Sequence, residues 1–217
     1  MARLRVAVLI SGRGSNLQAL IDACSHSDFP AAIVAVISNK PDAFGLERAR
    51  RAGLPALVVD HRGKTREAFE VELQQELQRS GAEFICLAGF MRLLTAGFVQ
   101  NWSGRMINIH PSLLPAFKGV HVHEQALAAG VRFSGCTVHY VVPEMDAGPI
   151  IAQAVVPVAQ DDNPDRLAER ILAAEHRLYP QVLRWFAERR VVLEGGCVRI
   201  ADGVMPAGAL LNPSEPT

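Results

Sequence analysis

The chain lacks any long run of apolar residues. None of its 217 residues falls in a stretch of about 18 apolar positions, the length that a membrane-spanning helix needs. The basic and then apolar start resembles a signal peptide, but its apolar part stops at Ser11-Gly12 without a small-residue cleavage site. We therefore interpret residues 4–10 as a first strand and predict no membrane partner.

Neither sign of charge is in excess, and cysteine is scarce. Lys plus Arg and Asp plus Glu number 22 each, so nothing draws the whole chain to nucleic acid, and a bound anion needs a local site. The four cysteines show no CxxC spacing, and His121-Val122-His123 is only half a metal site. We predict no metal, reduced thiols and a cytoplasmic location.

Apolar segments alternate with helical patterns over the first half of the chain, as expected of a globular protein that is 49% hydrophobic. We predict strands at 4–10, 31–38, 54–59, 84–88 and 105–109, with helices at 17–24, 44–52, 64–79 and 95–102. This order indicates an α/β fold, a Rossmann-like, doubly wound, mostly parallel sheet.

The pattern changes after residue 115. Strands at 136–142 and 150–158 are joined by a loop without a helix, which predicts an antiparallel pair. A long helix from Asn163-Pro164 to about residue 189 precedes a hairpin about Gly195-Gly196. We predict a single domain over 1–217 with a loose tail from about 204 to 217, either monomeric or homodimeric.

A glycine-rich turn, residues 11–16, lies between the first strand and the first helix. The N–H groups and dipole of a helix start favour phosphate, and Ser15 with Gln18 has capping-box spacing. The motif is neither GxGxxG, because Leu17 replaces the third glycine, nor a Walker loop, because GK[ST] is missing. We favour a mononucleotide-type phosphate site, with a plain tight turn as the alternative.

Asn108 and His110 lie two residues apart at the predicted end of the fifth strand, before Pro111. A carboxamide donor beside a titratable imidazole can stabilise an oxyanion and move a proton. Asp146, in a loop rich in Gly and Pro, could hold the imidazole and favour its charged form. The alternatives are a strand that happens to end in these residues, and a turn aspartate. We interpret His139 as a structural, hydrogen-bonded histidine.

Five motifs occur in order at residues 11–16, 38–40, 88–92, 108–115 and 146–149. From residue 6 to about 188 the chain resembles the phosphoribosylglycinamide formyltransferases of the folate-using formyltransferase superfamily. The resemblance implies the formyltransferase fold. It also implies transfer of the formyl group of 10-formyltetrahydrofolate to the amine of 5-phosphoribosylglycinamide in purine biosynthesis. The transfer would be direct, without metal or covalent nucleophile.

The resemblance also implies roles for particular residues. Asn108 and His110 would stabilise the tetrahedral intermediate, with Asp146 assisting the proton transfer. Glu175 would bind the ribose. The substrate phosphate would be held by Gly14, Ser15 and Asn16. The folate site would be formed by Arg66, Met91, Arg92, Leu93, Leu94, Val142, Pro143, Glu144 and Met145.

Three alternatives compete with this hypothesis. Formyltetrahydrofolate hydrolases carry an extra N-terminal domain, for which a first strand at Leu4 leaves no room. Methionyl-tRNA formyltransferases add a C-terminal RNA-binding domain, and we expect this chain to be too short and too neutral for it. A non-catalytic nucleotide-binding module would need the phosphate turn without the set of Asn108, His110 and Asp146.

Overall fold

A computed structural model describes residues 2–204 and 207–212. Within these residues no helix is long and apolar enough to cross a membrane. In chain order the elements are β1 (Leu4–Ile10), α1 (Ser15–Ser25), β2 (Ala31–Ser38), α2 (Phe44–Arg51), β3 (Ala56–Val58), α3 (Arg66–Ser80), β4 (Phe84–Leu87), α4 (Ala96–Asn101), β5 (Met106–His110), α5 (Val122–Ala128), β6 (Phe133–Tyr140), β7 (Ile150–Pro157), α6 (Pro164–Ala187), β8 (Val191–Glu194) and β9 (Cys197–Ile200).

The first seven strands form one sheet in the order β3-β2-β1-β4-β5-β6-β7. Strands β1 to β5 are parallel to one another, whereas β6 pairs antiparallel with both β5 and β7. The predicted fold class is therefore confirmed, including the antiparallel pair. Strands β8 and β9 form the predicted hairpin about the two glycines.

Helices cover both faces of the parallel sheet, which explains the continuous apolar runs of its strands. On one face, Val6 and Val8 of β1 pack in a core with residues of α1, α2 and α6. On the other face, Ala7 and Leu9 pack with residues of α3 and α4. Successive residues of β1 are fully buried on opposite faces, so the strand has no polar face.

The start of α1 differs from the prediction. The capping box is wrong, because Ser15 is the first residue of the helix and Gly14 is its N-cap, with φ of +70° and no side-chain cap. A Cβ built on Gly14 would lie 2.7 Å from the Gly45 Cα, so this position requires glycine. The side chain of Gln18 instead donates to Asp22 Oδ1 at 2.8 Å.

Two strands have bounds that differ from the predicted ones. The structure describes only part of the tail. Strand β3 is limited to Ala56–Val58, and β6 starts and ends earlier than predicted, at Phe133–Tyr140. Residues 205, 206 and 213–217 of the predicted loose tail lie outside the described residues. Within the described part, Asn212 Nδ2 donates to the Val158 carbonyl at 3.0 Å.

The carboxyl ends of β1, β4 and β5 lie side by side because these strands are neighbours in the sheet. The Met91 N–H donates to Ser11 Oγ at 2.7 Å, which joins the turns after β1 and β4. Behind this edge, the Tyr179 hydroxyl of α6 lies 2.9 Å from the Leu87 carbonyl and 3.3 Å from the Ile107 carbonyl. The long helix is thereby fixed against the ends of β4 and β5.

The Tyr179 hydroxyl gives a test of this anchoring. We expect Tyr179→Phe to lower the free energy of unfolding by about 1 kcal/mol, because the buried hydrogen bond from the Tyr179 hydroxyl to the Leu87 carbonyl is lost. Urea denaturation measures the change. Tyr140→Phe is the matched control, since within the described residues the Tyr140 hydroxyl makes no hydrogen bond. An equal effect of both substitutions would contradict the anchoring role.

Candidate active site

A cavity of about 640 Å³ opens at the carboxyl edge of the sheet. It is bounded by the turn after β4, the end of β5, the loop after β6, the start of α1 and one face of α6. This is where ligands bind in doubly wound folds. The predicted site residues that line it are Ser15, Asn16, Met91, Arg92, Leu93, Leu94, Asn108, His110, Val142, Pro143, Glu144, Met145, Asp146 and Glu175.

The carboxylate of Asp146 lies between two buried histidines. Its Oδ2 is 3.6 Å from His110 Nδ1, and its Oδ1 is 3.8 Å from His139 Nε2. The Gly119 N–H donates to Oδ2 at 2.9 Å. Asp146 adopts a left-handed conformation with φ of +49°, which aspartate tolerates better than most residues. The structure thus brings Asp146 to His110, as the sequence analysis expected.

The loop that carries Asp146 is held where it passes β6. The Tyr140 N–H donates to the Pro149 carbonyl at 3.0 Å. A Cβ built on Gly148 would lie 1.8 Å from the Tyr140 carbonyl oxygen, so only glycine allows this approach. The path of the loop, and with it the position of Asp146, depends on this contact.

Backbone contacts assign the proton on the His110 ring. The His110 Nε2 lies 2.9 Å from the Phe117 carbonyl, an acceptor, so Nε2 carries the hydrogen. Nδ1 is then the atom that gains or releases a proton, and it faces Asp146. Ser112 Oγ donates to the Ala116 carbonyl at 2.7 Å and is fully buried, so its hydroxyl is not available as a nucleophile.

His139 lies opposite Asn108 in the register of β5 and β6. Asn108 Nδ2 is 3.2 Å from His139 Nε2, and His139 Nδ1 is 2.9 Å from the Tyr140 carbonyl. The carbonyl requires the hydrogen on Nδ1, so Nε2 accepts from the Asn108 amide. Burial lowers the pKa of His139 and favours this neutral form. His139 is hydrogen-bonded as expected, but it also lines the cavity, which the sequence did not predict.

At the other end of the cavity, Asn16 Nδ2 donates to Glu175 Oε2 at 2.8 Å. Burial raises the pKa of Glu175 to about 7, although the hydrogen bond from Asn16 opposes this shift. The Asn16 Oδ1 atom is buried and has no hydrogen-bond partner among the described residues. Gly14 lies next to Ser15 in the turn but does not line the cavity. Polar groups with unused hydrogen-bonding capacity therefore face this end of the cavity.

The mouth of the cavity is apolar. Met91, Leu93 and Met145 are 69%, 54% and 51% exposed, although all are large hydrophobic residues. Exposed apolar side chains that cluster at a cavity indicate a ligand surface. The Arg92 guanidinium is held 4.9 Å above the Phe69 ring. Arg66, the first residue of α3, is exposed and does not line the cavity.

The cavity contains two further histidines, His121 and His123, that the sequence analysis treated as half a metal site. His121 Nδ1 lies 3.5 Å from Glu124 Oε1 at the surface, and burial lowers the pKa of His123. Among residues 2–204 and 207–212, no three His, Cys, Asp or Glu side chains form a group that could hold a metal ion.

Known proteins share both the sequence and the fold. A family model described as formyl transferase matches residues 4–183. Phosphoribosylglycinamide formyltransferase of Escherichia coli is 47% identical over 189 residues, which are 87% of this chain and 89% of that protein. The trifunctional purine biosynthetic protein adenosine-3 of Drosophila melanogaster is 54% identical over 83% of this chain. The chain spans only 14% of the length of that relative.

Solved structures give the same result. Glycinamide ribonucleotide transformylase 1 of Symbiobacterium toebii is 50% identical with a TM-score of 0.89, covering 92% of this chain and 95% of that one. A formyltetrahydrofolate deformylase of Pseudomonas syringae is 28% identical with a TM-score of 0.87, covering 92% of this chain and 66% of that one. Because the family model covers most of the chain, the protein belongs to the formyl transferase family.

Proposed function

We propose that the protein transfers the formyl group of 10-formyltetrahydrofolate to the amine of 5-phosphoribosylglycinamide, a step of purine biosynthesis. The observation that carries the proposal is the placement of Asn108, His110 and Asp146 in one cavity that also has a polar end and an apolar mouth. The names of the full-length relative in Escherichia coli and of the Symbiobacterium structure support the same reaction.

The reaction can be derived from the side chains. The substrate amine attacks the formyl carbon, a C–N bond forms, and an electron pair moves to the formyl oxygen. One hydrogen of the Asn108 amide is directed to His139, which leaves the other to donate to that oxyanion. Protonated His110 adds positive charge beside the same oxygen. The Asn108 amide and the His110 ring are held in place before the reaction, so they stabilise the intermediate without reorganisation.

The intermediate collapses when the folate nitrogen leaves. The new ammonium must lose a proton, and the leaving nitrogen must gain one as its bond to the formyl carbon breaks. Asp146 is the nearest carboxylate to His110 Nδ1 and can pass the proton between the two nitrogens, directly or through water. No group on the enzyme forms a covalent bond in this scheme.

The two ends of the cavity suit the two substrates. Gly14, Ser15 and Asn16 would bind the phosphate at the start of α1, and Glu175 would accept hydrogen bonds from the ribose hydroxyls. The apolar mouth formed by Met91, Leu93, Leu94, Val142, Pro143 and Met145 would cover the folate ring, with Arg92 and Glu144 at its edge. Arg66 lies outside the cavity and would bind the distal part of the folate.

The second candidate is hydrolysis of 10-formyltetrahydrofolate, because the fold is shared with the Pseudomonas deformylase. The decisive assay mixes purified protein with 10-formyltetrahydrofolate, with and without 5-phosphoribosylglycinamide, and follows the deformylated folate. We expect turnover only with the ribonucleotide. Turnover without it would support the hydrolase, and phosphate binding with no turnover would support a binding module.

Substitution of Asp146 tests its role in proton transfer. We expect Asp146→Asn to lower kcat by at least about a hundredfold, because the amide cannot take up the proton. The KM for the ribonucleotide should change less than about threefold, since Asp146 contacts His110, His139 and the Gly119 N–H, whereas Asn16 contacts Glu175. Asp161→Asn, the same substitution at an exposed aspartate that does not line the cavity, is the control. Equal losses in kcat and in ribonucleotide binding would contradict the role.

Glu175 predicts a pH dependence of stability. Because its pKa is raised to about 7 in the folded protein, folding is penalised as pH rises from about 4.5 through 7. We expect Glu175→Gln to remove this penalty. The free energy of unfolding of the variant minus that of wild type should therefore be about 2 kcal/mol larger at pH 8 than at pH 5. Urea denaturation of the ligand-free protein measures it. Glu169→Gln, exposed on the same helix, should show no such pH effect.

A further inference from the structure

The start of α2 contacts the turn that joins β1 to α1, and neither Gly45 nor Arg48 lines the cavity. The Gly45 N–H donates to the Gly12 carbonyl at 3.0 Å. One turn further along α2, Arg48 Nε donates to the Arg13 carbonyl at 2.9 Å. Two successive carbonyl groups of the turn therefore accept hydrogen bonds from one short helix, whose own role the sequence does not indicate.

The contact between α2 and the turn leaves no free space. A Cβ built on Gly14 would lie 2.7 Å from the Gly45 Cα, and one built on Gly45 would lie 2.5 Å from Ile10 Cδ1. Neither glycine can be replaced without movement of the backbone or of Ile10. The position of the turn relative to β1 is thus set by α2 as well as by the chain on either side.

The Arg48 side chain is itself held from three directions. Its Nη1 donates to Gln18 Oε1 of α1 at 3.2 Å, and its guanidinium lies 5.1 Å above the Phe44 ring. Burial lowers the pKa of His176 on α6, and the positive charge of Arg48 lowers it further. The electrostatic effect of the guanidinium therefore extends to that helix. An arginine fixed in this way is suited to orient the peptide group that it contacts.

The contacts of α2 with the turn affect the direction in which the N–H groups of the turn point. A peptide group that directs its carbonyl toward α2 directs its N–H the opposite way, and anion sites in such turns are built from converging N–H groups. We propose that Arg48 is a positioning residue for phosphate recognition: by holding the Arg13 carbonyl, together with Gly45 on the Gly12 carbonyl, it keeps the turn in its phosphate-binding shape. The proposal rests on the proposed function, which places the substrate phosphate at this turn.

The test compares two substrates that differ only in the phosphate. For Arg48→Met we expect kcat/KM with 5-phosphoribosylglycinamide to fall about tenfold through KM, the effect of losing one hydrogen bond to an oriented group. The kcat/KM with the dephosphorylated riboside should stay within about twofold of wild type. Gly45→Ala disturbs the same turn through an independent contact and should show the same selective loss.

Inorganic phosphate gives a readout that does not need activity. Calorimetric titration of the ligand-free protein should show about tenfold weaker phosphate binding for both variants. Arg51→Met is the matched control, because Arg51 lies on the same helix and, among the residues that the structure describes, pairs with Glu47 at the surface. It should behave as wild type with both substrates and with phosphate.

The outcomes separate this proposal from the proposed function. Wild type that binds phosphate but shows no formyl transfer would overturn the function, and the titrations would still decide the role of Arg48. Wild-type phosphate affinity in both Arg48→Met and Gly45→Ala would overturn the positioning role. Equal losses with the phosphorylated and dephosphorylated substrates would also overturn it, because they would indicate a general structural defect.

Discussion

The candidate site depends on one partly buried carboxylate and the groups that surround it. Asp146 lies between His110 and His139 and accepts a hydrogen bond from the Gly119 N–H. A carboxylate with little access to water needs the Gly119 donor and the His110 ring beside it, since an unpaired buried charge costs several kcal/mol. Each partner is held by its own backbone contact, through Phe117 for one ring and β6 for the other. The position of the charge therefore determines the geometry of the whole catalytic end.

The sheet explains why these groups can meet. Strands β1, β4 and β5 are far apart in sequence but adjacent in space, and each delivers its following turn to the same edge. The antiparallel β6 then returns along β5 and places His139 opposite Asn108. A parallel strand at that position would present its opposite end to the site. Because β6 runs antiparallel to β5, His110 and His139 lie on neighbouring strands at the same edge of the sheet.

Local patterns predicted the sheet and indicated Asn108 and His110 as candidate site residues, because buried strands, glycine turns and a strand ending in Asn-x-His-Pro leave strong signals. The position of His139 beside Asn108 was not predictable in the same way. It depends on strand register, which is set by packing over the whole pair. The capping-box prediction at Ser15 was wrong for a related reason, since the contact with Gly45 makes Gly14 the helix cap. Contacts between distant segments override a local motif.

The two ends of the cavity differ in how firmly they are held. The turn proposed to bind phosphate is held by Gly45 and Arg48, whereas the mouth presents exposed Met91 and Met145 side chains that can adapt to a ligand. Binding energy from a phosphate remote from the reacting amine can be used to orient that amine only if the turn does not move. A rigid phosphate end and an adaptable mouth therefore serve one purpose. In the proposed reaction the first would fix the nucleophile, and the second would let the formyl carrier enter, align and leave.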